Sequence, residues 1–217
     1  MSRSLPTIAV IGGTGAEGFG LATRWAQAGY RILIGSRSAE RANEVAQKIG
    51  AEGLDNLTAA SECNVAVLTV PFAAQSDTLL PLKDALRGKI LVDVTVPLRP
   101  PKIMRVRLPT EGSAAQIAQT ILGDDVRVVS AFQNVSAHHL TDPDYAVDCD
   151  VLVTGNDPEA RGVVVRISEA AGLRAFEAGP LDNAAAAEAM TSLLLWINRK
   201  YKSPGAGIRI TAIPDNN

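Results

Sequence analysis

Apolar residues in this chain fall into short continuous runs, separated by stretches in which they recur at helical spacing. Runs of four to six aliphatic residues bounded by Gly, Pro, Asn or Ser read as strands buried on both faces. They predict strands over 7–11, 31–35, 64–70, 89–94, 127–131, 150–154 and 173–177. Between them, Phe19, Leu21, Ala22, Trp25 and Ala26 mark an amphipathic helix over 16–29, which Gly29 closes. Further helices are predicted over 39–50 (ending at Gly50), 55–63, 73–87, 113–122 and 158–171. Pro180 marks a boundary, and an Ala-rich segment from Asp182 leads into one long apolar-faced helix to about Tyr201. A short strand from Ile208 to Thr211 follows, and Asp215-Asn216-Asn217 is expected to fray. Alternating strands and helices specify a doubly wound parallel α/β sheet over 1–180. Residues 181–217 form a small helical segment, packed over the sheet edge or against a second copy of the chain.

The first strand runs into Gly12-Gly13-Thr14-Gly15-Ala16-Glu17-Gly18, in which Gly13, Gly15 and Gly18 satisfy G-x-G-x-x-G. In a strand–turn–helix setting, one glycine permits the turn and the next lets a pyrophosphate approach the backbone. The last lets the helix pack on its strand. The helix N-terminus then offers its free N–H groups to the phosphates. A Rossmann dinucleotide site is therefore expected.

The second strand ends at Ser36-Arg37-Ser38 rather than at the Asp or Glu that would accept hydrogen bonds from the ribose 2′-hydroxyl of NAD. A carboxylate there would repel a 2′-phosphate. Ser36, Arg37 and, one helical turn on, Arg41 supply donors and positive charge instead, and a guanidinium can donate two bonds to one phosphate. The reading is NADP.

Composition excludes several other classes. A formal charge of −2 gives no basic stripe for nucleic acid, and no apolar run reaches membrane-spanning length. No secretory apolar region follows Met1, and Cys63 and Cys149 stand far apart, as reduced core thiols do. A cytoplasmic location is expected. His138 and His139 are adjacent, point different ways and have no evident third ligand, so no metal site is assigned. Ligands on such sheets sit beyond the carboxyl ends of the strands. The Val-Pro turns at 70–71 and 96–97, and the polar segment after the 127–131 strand, should share that rim.

In order and spacing, several blocks resemble the NADPH-dependent coenzyme F420 reductases, the 8-hydroxy-5-deazaflavin:NADP oxidoreductases. They are Ile-Gly-Gly-Thr-Gly-Ala-Glu-Gly at 11–18, Gly-Ser-Arg at 35–37, Ala-Val-Leu-Thr-Val-Pro-Phe at 66–72 and Ser-Ala-Ala-Gln-Ile at 113–117. Val-Val-Ser-Ala-Phe-Gln-Asn-Val at 128–135, Glu-Ala-Gly-Pro-Leu at 177–181 and Gly-Ile-Arg at 207–209 complete the set. The resemblance implies that Thr14, Gly15, Ala16 and Glu17 line the pyrophosphate, beside Gly13 and Gly18 as cofactor-binding glycines of the motif, and that Ser36, Arg37 and Arg41 hold the 2′-phosphate. Val70, Pro71, Phe72, Ser76 and Leu98 would border the ribose and nicotinamide. The segment Gln133 to Ala137, including Val135, and the tail at Ala206-Gly207 would meet the deazaflavin. Gln133 and Ser136 stand where archaeal members carry histidine and proline. The implied reaction is hydride transfer between NADP(H) and coenzyme F420; a homodimer is expected from the apolar C-terminal helix instead. No side chain is assigned as catalytic, and Gln133, Asn134 and Ser136 are the candidates for orienting the rings. Reduction of FMN or FAD, as in related domains of membrane ferric reductases, is the alternative, with dehydrogenation of a small imine or keto substrate beside it. A non-catalytic NADPH sensor stands behind both.

Overall fold

A computed structural model describes residues 5–213; the expected fraying at 215–217 lies outside the described residues. The chain runs β1 (Ile8–Ile11), α1 (Ala16–Gln27), β2 (Ile32–Ser36), α2 (Ala39–Ala46), β3 (Glu52–Asp55), α3 (Asn56–Glu62), β4 (Val65–Leu68) and α4 (Gln75–Leu79). It continues with β5 (Ile90–Asp93), α5 (Ala114–Leu122), β6 (Arg127–Ser130), α6 (Ala137–Leu140), β7 (Asp150–Gly155), α7 (Pro158–Ala170), β8 (Arg174–Glu177) and α8 (Ala184–Tyr201). The sheet order is β3-β2-β1-β4-β5-β6-β7-β8. The chain leaves β1 toward one edge and returns through β4 toward the other, so the topological switch lies between β1 and β4, where such folds bind ligands.

Period-two alternation divides the core. Ile8 and Val10 of β1 face Leu21, Trp25, Ile34 and Val92 on one side. Ala9 and Ile11 face Leu33, Leu68, Leu79 and Leu91 on the other. Both faces are apolar because helices cover both. The core is aliphatic apart from Trp25 and Phe132, whose rings meet edge-to-face at 6.0 Å.

Four features depart from the sequence expectations. Glu52–Asp55 forms a strand that pairs with β2, although its pattern is mostly polar, as an edge strand permits. Residues 73–87 break into 3-10 turns around the five-residue α4, with Pro81 removing a backbone donor. β7 runs antiparallel to β6, and the pair β7–β8 is parallel, so the sheet is mostly rather than wholly parallel. The expected strand at 208–211 does not form. The segment lies beside β7 through a bond from the Asp150 N–H to the Ile208 carbonyl (2.8 Å).

Residues 181–217 split their apolar surface. On α8, Ala184, Ala187, Glu188 and Leu194 are buried, whereas Leu193, Trp196, Ile197 and Tyr201 are exposed.

Candidate functional site

The glycine turn follows β1 in the expected place, but the glycines divide the work differently. Gly12 carries the left-handed turn (φ +74°), with Val70 Cγ1 2.5 Å from where a Cβ would stand. Gly13 lies over the Val10 carbonyl, and its N–H donates to the Gly35 and Val10 carbonyls (3.1 and 3.2 Å). A Cβ on Gly18 would meet Thr69 Oγ1 at 2.5 Å and Gly13 Cα at 2.9 Å, so α1 closes on the turn only because Gly18 has none. Gly15 is the N-cap of α1 and has open space where a Cβ would go, which leaves the helix N-terminus free to meet a phosphate.

A cavity of about 660 Å³ opens above this turn. Its lining brings Thr14 and Gly15 together with Ser36, Arg37, Arg41, Val70 and Pro71, all predicted for the site from separate segments. Ser38 caps α2 by accepting the Arg41 N–H (3.2 Å), which fixes where Arg41 leaves the helix. Gly13, Ala16, Glu17, Gly18, Phe72 and Ser76 are not in the lining; the α4 wall presents Ala73, Ala74, Asp77 and Thr78 instead. Two residues that sequence reading missed complete the far wall. Asp55 caps α3, its carboxylate accepting the Leu57 and Thr58 N–H groups (both 2.9 Å). Asn56 lines the cavity, and its Oδ1 is buried with no hydrogen-bond partner. That oxygen lies 2.9 Å from where a Cβ on Gly35 would stand, so it packs against the end of β2 beneath the cavity wall. The signal for both residues was the Asp55-Asn56 cap of the unpredicted β3–α3 turn.

Glu17, in the first turn of α1, is half-buried and has no hydrogen-bond partner among the described residues, and its loss of hydration pushes its carboxyl up to about 8. That shift favours the neutral form, which adds no charge at the N-terminus of α1.

The second predicted region is built from irregular backbone. Phe132 takes a left-handed conformation (φ 76°) just past β6, a strain of about 1–3 kcal/mol that turns the chain sharply into Gln133-Asn134-Val135. Gln133 Nε2 donates to the Asp93 carbonyl (2.7 Å) and Ser130 Oγ (2.8 Å). Asn134 Nδ2 donates to Cys149 Sγ (3.2 Å) and the Asp150 carbonyl (2.6 Å). Both amides thus use their N–H groups inward, and the buried carbonyl oxygens Oε1 and Oδ1 are left without partners. Val135 is buried, Leu98 and Ala137 are half-buried, and none of the three lines the cavity above the glycine turn. Ser136, Ala206 and Gly207 do come together, in a cleft of about 200 Å³ with His139, Tyr145 and Cys149. His139 stacks on Tyr145 at 4.5 Å, and its Nε2 lies 3.0 Å from the Gly205 carbonyl, so this histidine ties the tail to α6.

One side chain joins the two regions, and sequence reading did not single it out. Arg24 of α1 is 6% exposed and donates to five carbonyls. Nε reaches Leu140 (3.3 Å), Nη1 reaches Ala171 (3.2 Å), and Nη2 reaches His139, Asp142 and Tyr145 (3.2, 2.6 and 2.9 Å). The helix that carries the glycine turn therefore also clamps the loop that carries His139.

The family model for NADP oxidoreductases, coenzyme F420-dependent, matches residues 7–97. An F420-dependent NADP reductase of Methanocaldococcus jannaschii is 45% identical, covering 94% of this chain and 97% of its own. The F420-dependent NADP reductase of Methanothermobacter marburgensis is 42% identical over 96% of this chain and 99% of its own. This chain belongs to the F420-dependent NADP reductase family. A solved structure from Arthrobacter sp. FB24 shares the fold, with a TM-score of 0.85 at 22% identity over 96% of this chain and 100% of that one.

The family places a second buried cluster in context. Behind the reductase rim, Gln75 Nε2 donates to Asp93 Oδ2 (2.6 Å), and Asp93 Oδ1 accepts the Thr95 N–H (2.9 Å). Glu188 of α8 caps α5, accepting the Ala114 and Ala115 N–H groups (2.7 and 3.1 Å). Burial pushes Asp93 up to about 6 and Glu188 to about 8, the latter aided by the nearby Asp93 charge. These carboxyls hold the ends of β5 and α5 rather than facing a cavity.

Proposed function

We propose that this chain transfers a hydride between NADP(H) and the deazaflavin coenzyme F420. The observation that carries the reading is the near-full-length match at 42–45% identity to F420-dependent NADP reductases, with Arg37 and Arg41 facing the NADP cavity. Hydride passes between nicotinamide C4 and deazaflavin C5, so both reacting carbons belong to the bound molecules and the protein's task is to orient them. The open N-terminus of α1 at Gly15 takes the pyrophosphate. Ser36, Arg37 and Arg41 take the 2′-phosphate, and Asp55 and Asn56 form the cavity wall on that side. Val70 and Pro71 form the wall that leads toward the nicotinamide. Ser136, Ala206 and Gly207 form the floor for the second ring, while Gln133 and Asn134 act by fixing the backbone beneath it. Arg24 is a positioning residue that holds the two floors in register.

We also assign the exposed stripe Leu193, Trp196, Ile197 and Tyr201 to a homodimer, since i, i+3, i+4, i+8 spacing aligns them on one face of α8. No helix among the described residues is long and apolar enough to cross a membrane, which accords with a cytoplasmic enzyme.

The test is to mix purified protein and NADPH with coenzyme F420 or with FMN and follow absorbance. Bleaching of the deazaflavin at a rate far above that of FMN is expected. Turnover with FMN alone, or with neither, overturns the reading.

A further inference from the structure

The segment between β5 and α5 carries a charge pattern that neither the NADP cavity nor the tail cleft uses. Arg99, Lys102, Arg105 and Arg107 are all exposed, and Glu111 is the sole acid over 99–111. The backbone makes two successive turns here, with the Lys102 N–H donating to the Arg99 carbonyl and the Arg105 N–H to the Lys102 carbonyl (both 3.2 Å). The four cations thus fall within nine residues of exposed, turn-rich backbone. Among the described residues none of the four forms an ion pair. Unpaired cations gathered in one short loop of a chain with net charge −2 form a local anion-attracting patch.

Its position is fixed by α8. Thr191 Oγ1 donates to the Gln133 carbonyl (2.7 Å), and the next residue, Ser192, donates through Oγ to the Ile103 carbonyl (2.9 Å). Successive residues of one helix therefore tie down both the Gln133 backbone, three residues before Ser136 of the second-ring floor, and the middle of the basic loop. The loop also leaves the carboxyl end of β5, on the ligand rim of the sheet. The arginines assigned to NADP lie elsewhere, at the end of β2 and the start of α2.

We propose that Arg99, Lys102, Arg105 and Arg107 form the binding surface for the acidic tail of the deazaflavin substrate. That tail is a phosphodiester followed by glutamate carboxylates, and its chemistry matches a flexible row of cations outside the reacting site. The proposal rests on the function proposed above. Exposed ion pairs are individually weak and screened by salt, so the loop acts as a sum of small attractions.

The test compares two deazaflavins, the full coenzyme and its tail-less riboflavin-level fragment, in wild type and in the combined Arg99→Gln, Lys102→Gln, Arg105→Gln, Arg107→Gln variant. Wild type should turn over the full coenzyme with a KM about tenfold below that of the fragment, and salt raised from about 20 to about 300 mM should erase the difference. The variant should lose the same factor for the full coenzyme, with the fragment, the KM for NADPH and kcat unchanged. Equal loss with both deazaflavins, or loss with neither, overturns the proposal. So does a change in oligomeric mass by light scattering, which would make the loop a contact between copies. Failure of wild type to reduce either deazaflavin removes the function itself and is read separately from the loop. Single substitutions, each with a fraction of the effect, guard against misfolding of the combined variant.

Discussion

The NADP half and the second-ring half of this molecule are built by opposite means. The first is built around consecutive elements, β1–turn–α1–β2–α2, whose geometry follows from glycines and apolar runs within about forty residues of sequence. The second joins Phe132–Leu140, Cys149–Asp150 and Ser203–Ile210, which have little regular structure of their own. Side chains from distant elements hold it: Arg24 from α1, Asn134 onto Asp150, and Asp150 onto the tail. Asp150 is wholly buried, yet it accepts Arg174 Nε and Nη2 (2.7 and 2.6 Å) and the Ile210 N–H (2.6 Å). Burial opposes its ionisation, but these donors outweigh it and hold its carboxyl below the usual range. The comparison teaches that a phosphate site can be specified locally, whereas a floor for a second ring must be assembled from long-range polar ties.

The strongest attempt to break that contrast is Arg24→Met. Methionine keeps apolar length but leaves five carbonyls without their donor. Unfolding free energy should fall by about 3–5 kcal/mol, because buried acceptors that lose a charged donor are costly. In protein that remains folded at low temperature, the KM for coenzyme F420 should rise more than the KM for NADPH. Equal rises would mean that α1, not the loop, had moved. Arg24→Lys should restore part of the stability, having three donors in place of the fork.

On the locally built side, Arg37→Ala should weaken NADPH by about 10–100-fold, corresponding to about 1.5–3 kcal/mol for a charge-assisted phosphate contact. NADH, without the 2′-phosphate, should be nearly unaffected. Parallel losses for both nucleotides would remove Arg37 from the 2′-phosphate site.

Legibility in the sequence followed the same divide. The glycine turn, the Ser36-Arg37 ending and the Val70-Pro71 rim could all be read because each signal is local and each has one physical cause. The β3 strand was missed because an edge strand need not be apolar, and with it the cap Asp55 and its neighbour Asn56 as parts of the cavity wall. The reversal of β7 was hidden because an apolar run carries no mark of its direction. Arg24 gave no signal at all: a lone arginine on an amphipathic helix reads as a solvated residue, and its five partners lie up to 147 positions away. Likewise, Gln133 and Asn134 read as ring-orienting groups, but the structure directs their N–H groups into the backbone.

A third test uses the buried carboxyls behind the rim. Glu188 has a raised pKa, so its contribution to stability is full below about 4.5 and is lost as pH rises toward about 8. Over that window the wild type should lose stability with a slope on the order of 1 kcal/mol per pH unit from this group, and Glu188→Gln should flatten it. Denaturant unfolding between pH 5 and 9 reads the slope, and an unchanged slope would clear Glu188.

The smallest effect belongs to Glu17, and it returns to the NADP half. Its carboxyl lies in the first turn of the phosphate-facing helix, where a charge would normally be welcome to the helix dipole but unwelcome to a pyrophosphate. Loss of hydration without a partner favours its neutral form up to about pH 8. Above that pH the ionised form adds a negative charge near the turn, and NADPH binding should weaken several-fold, about 1 kcal/mol, between pH 7 and 9.5. The 2′-phosphate has already lost its second proton by pH 7, so it contributes little to the change. Glu17→Gln keeps shape and hydrogen-bonding capacity but cannot ionise, so its KM for NADPH should stay flat across the window. A variant that follows the wild-type profile would place the titration elsewhere. It would also show that the locally built half, like the other, is tuned by groups outside its glycine motif.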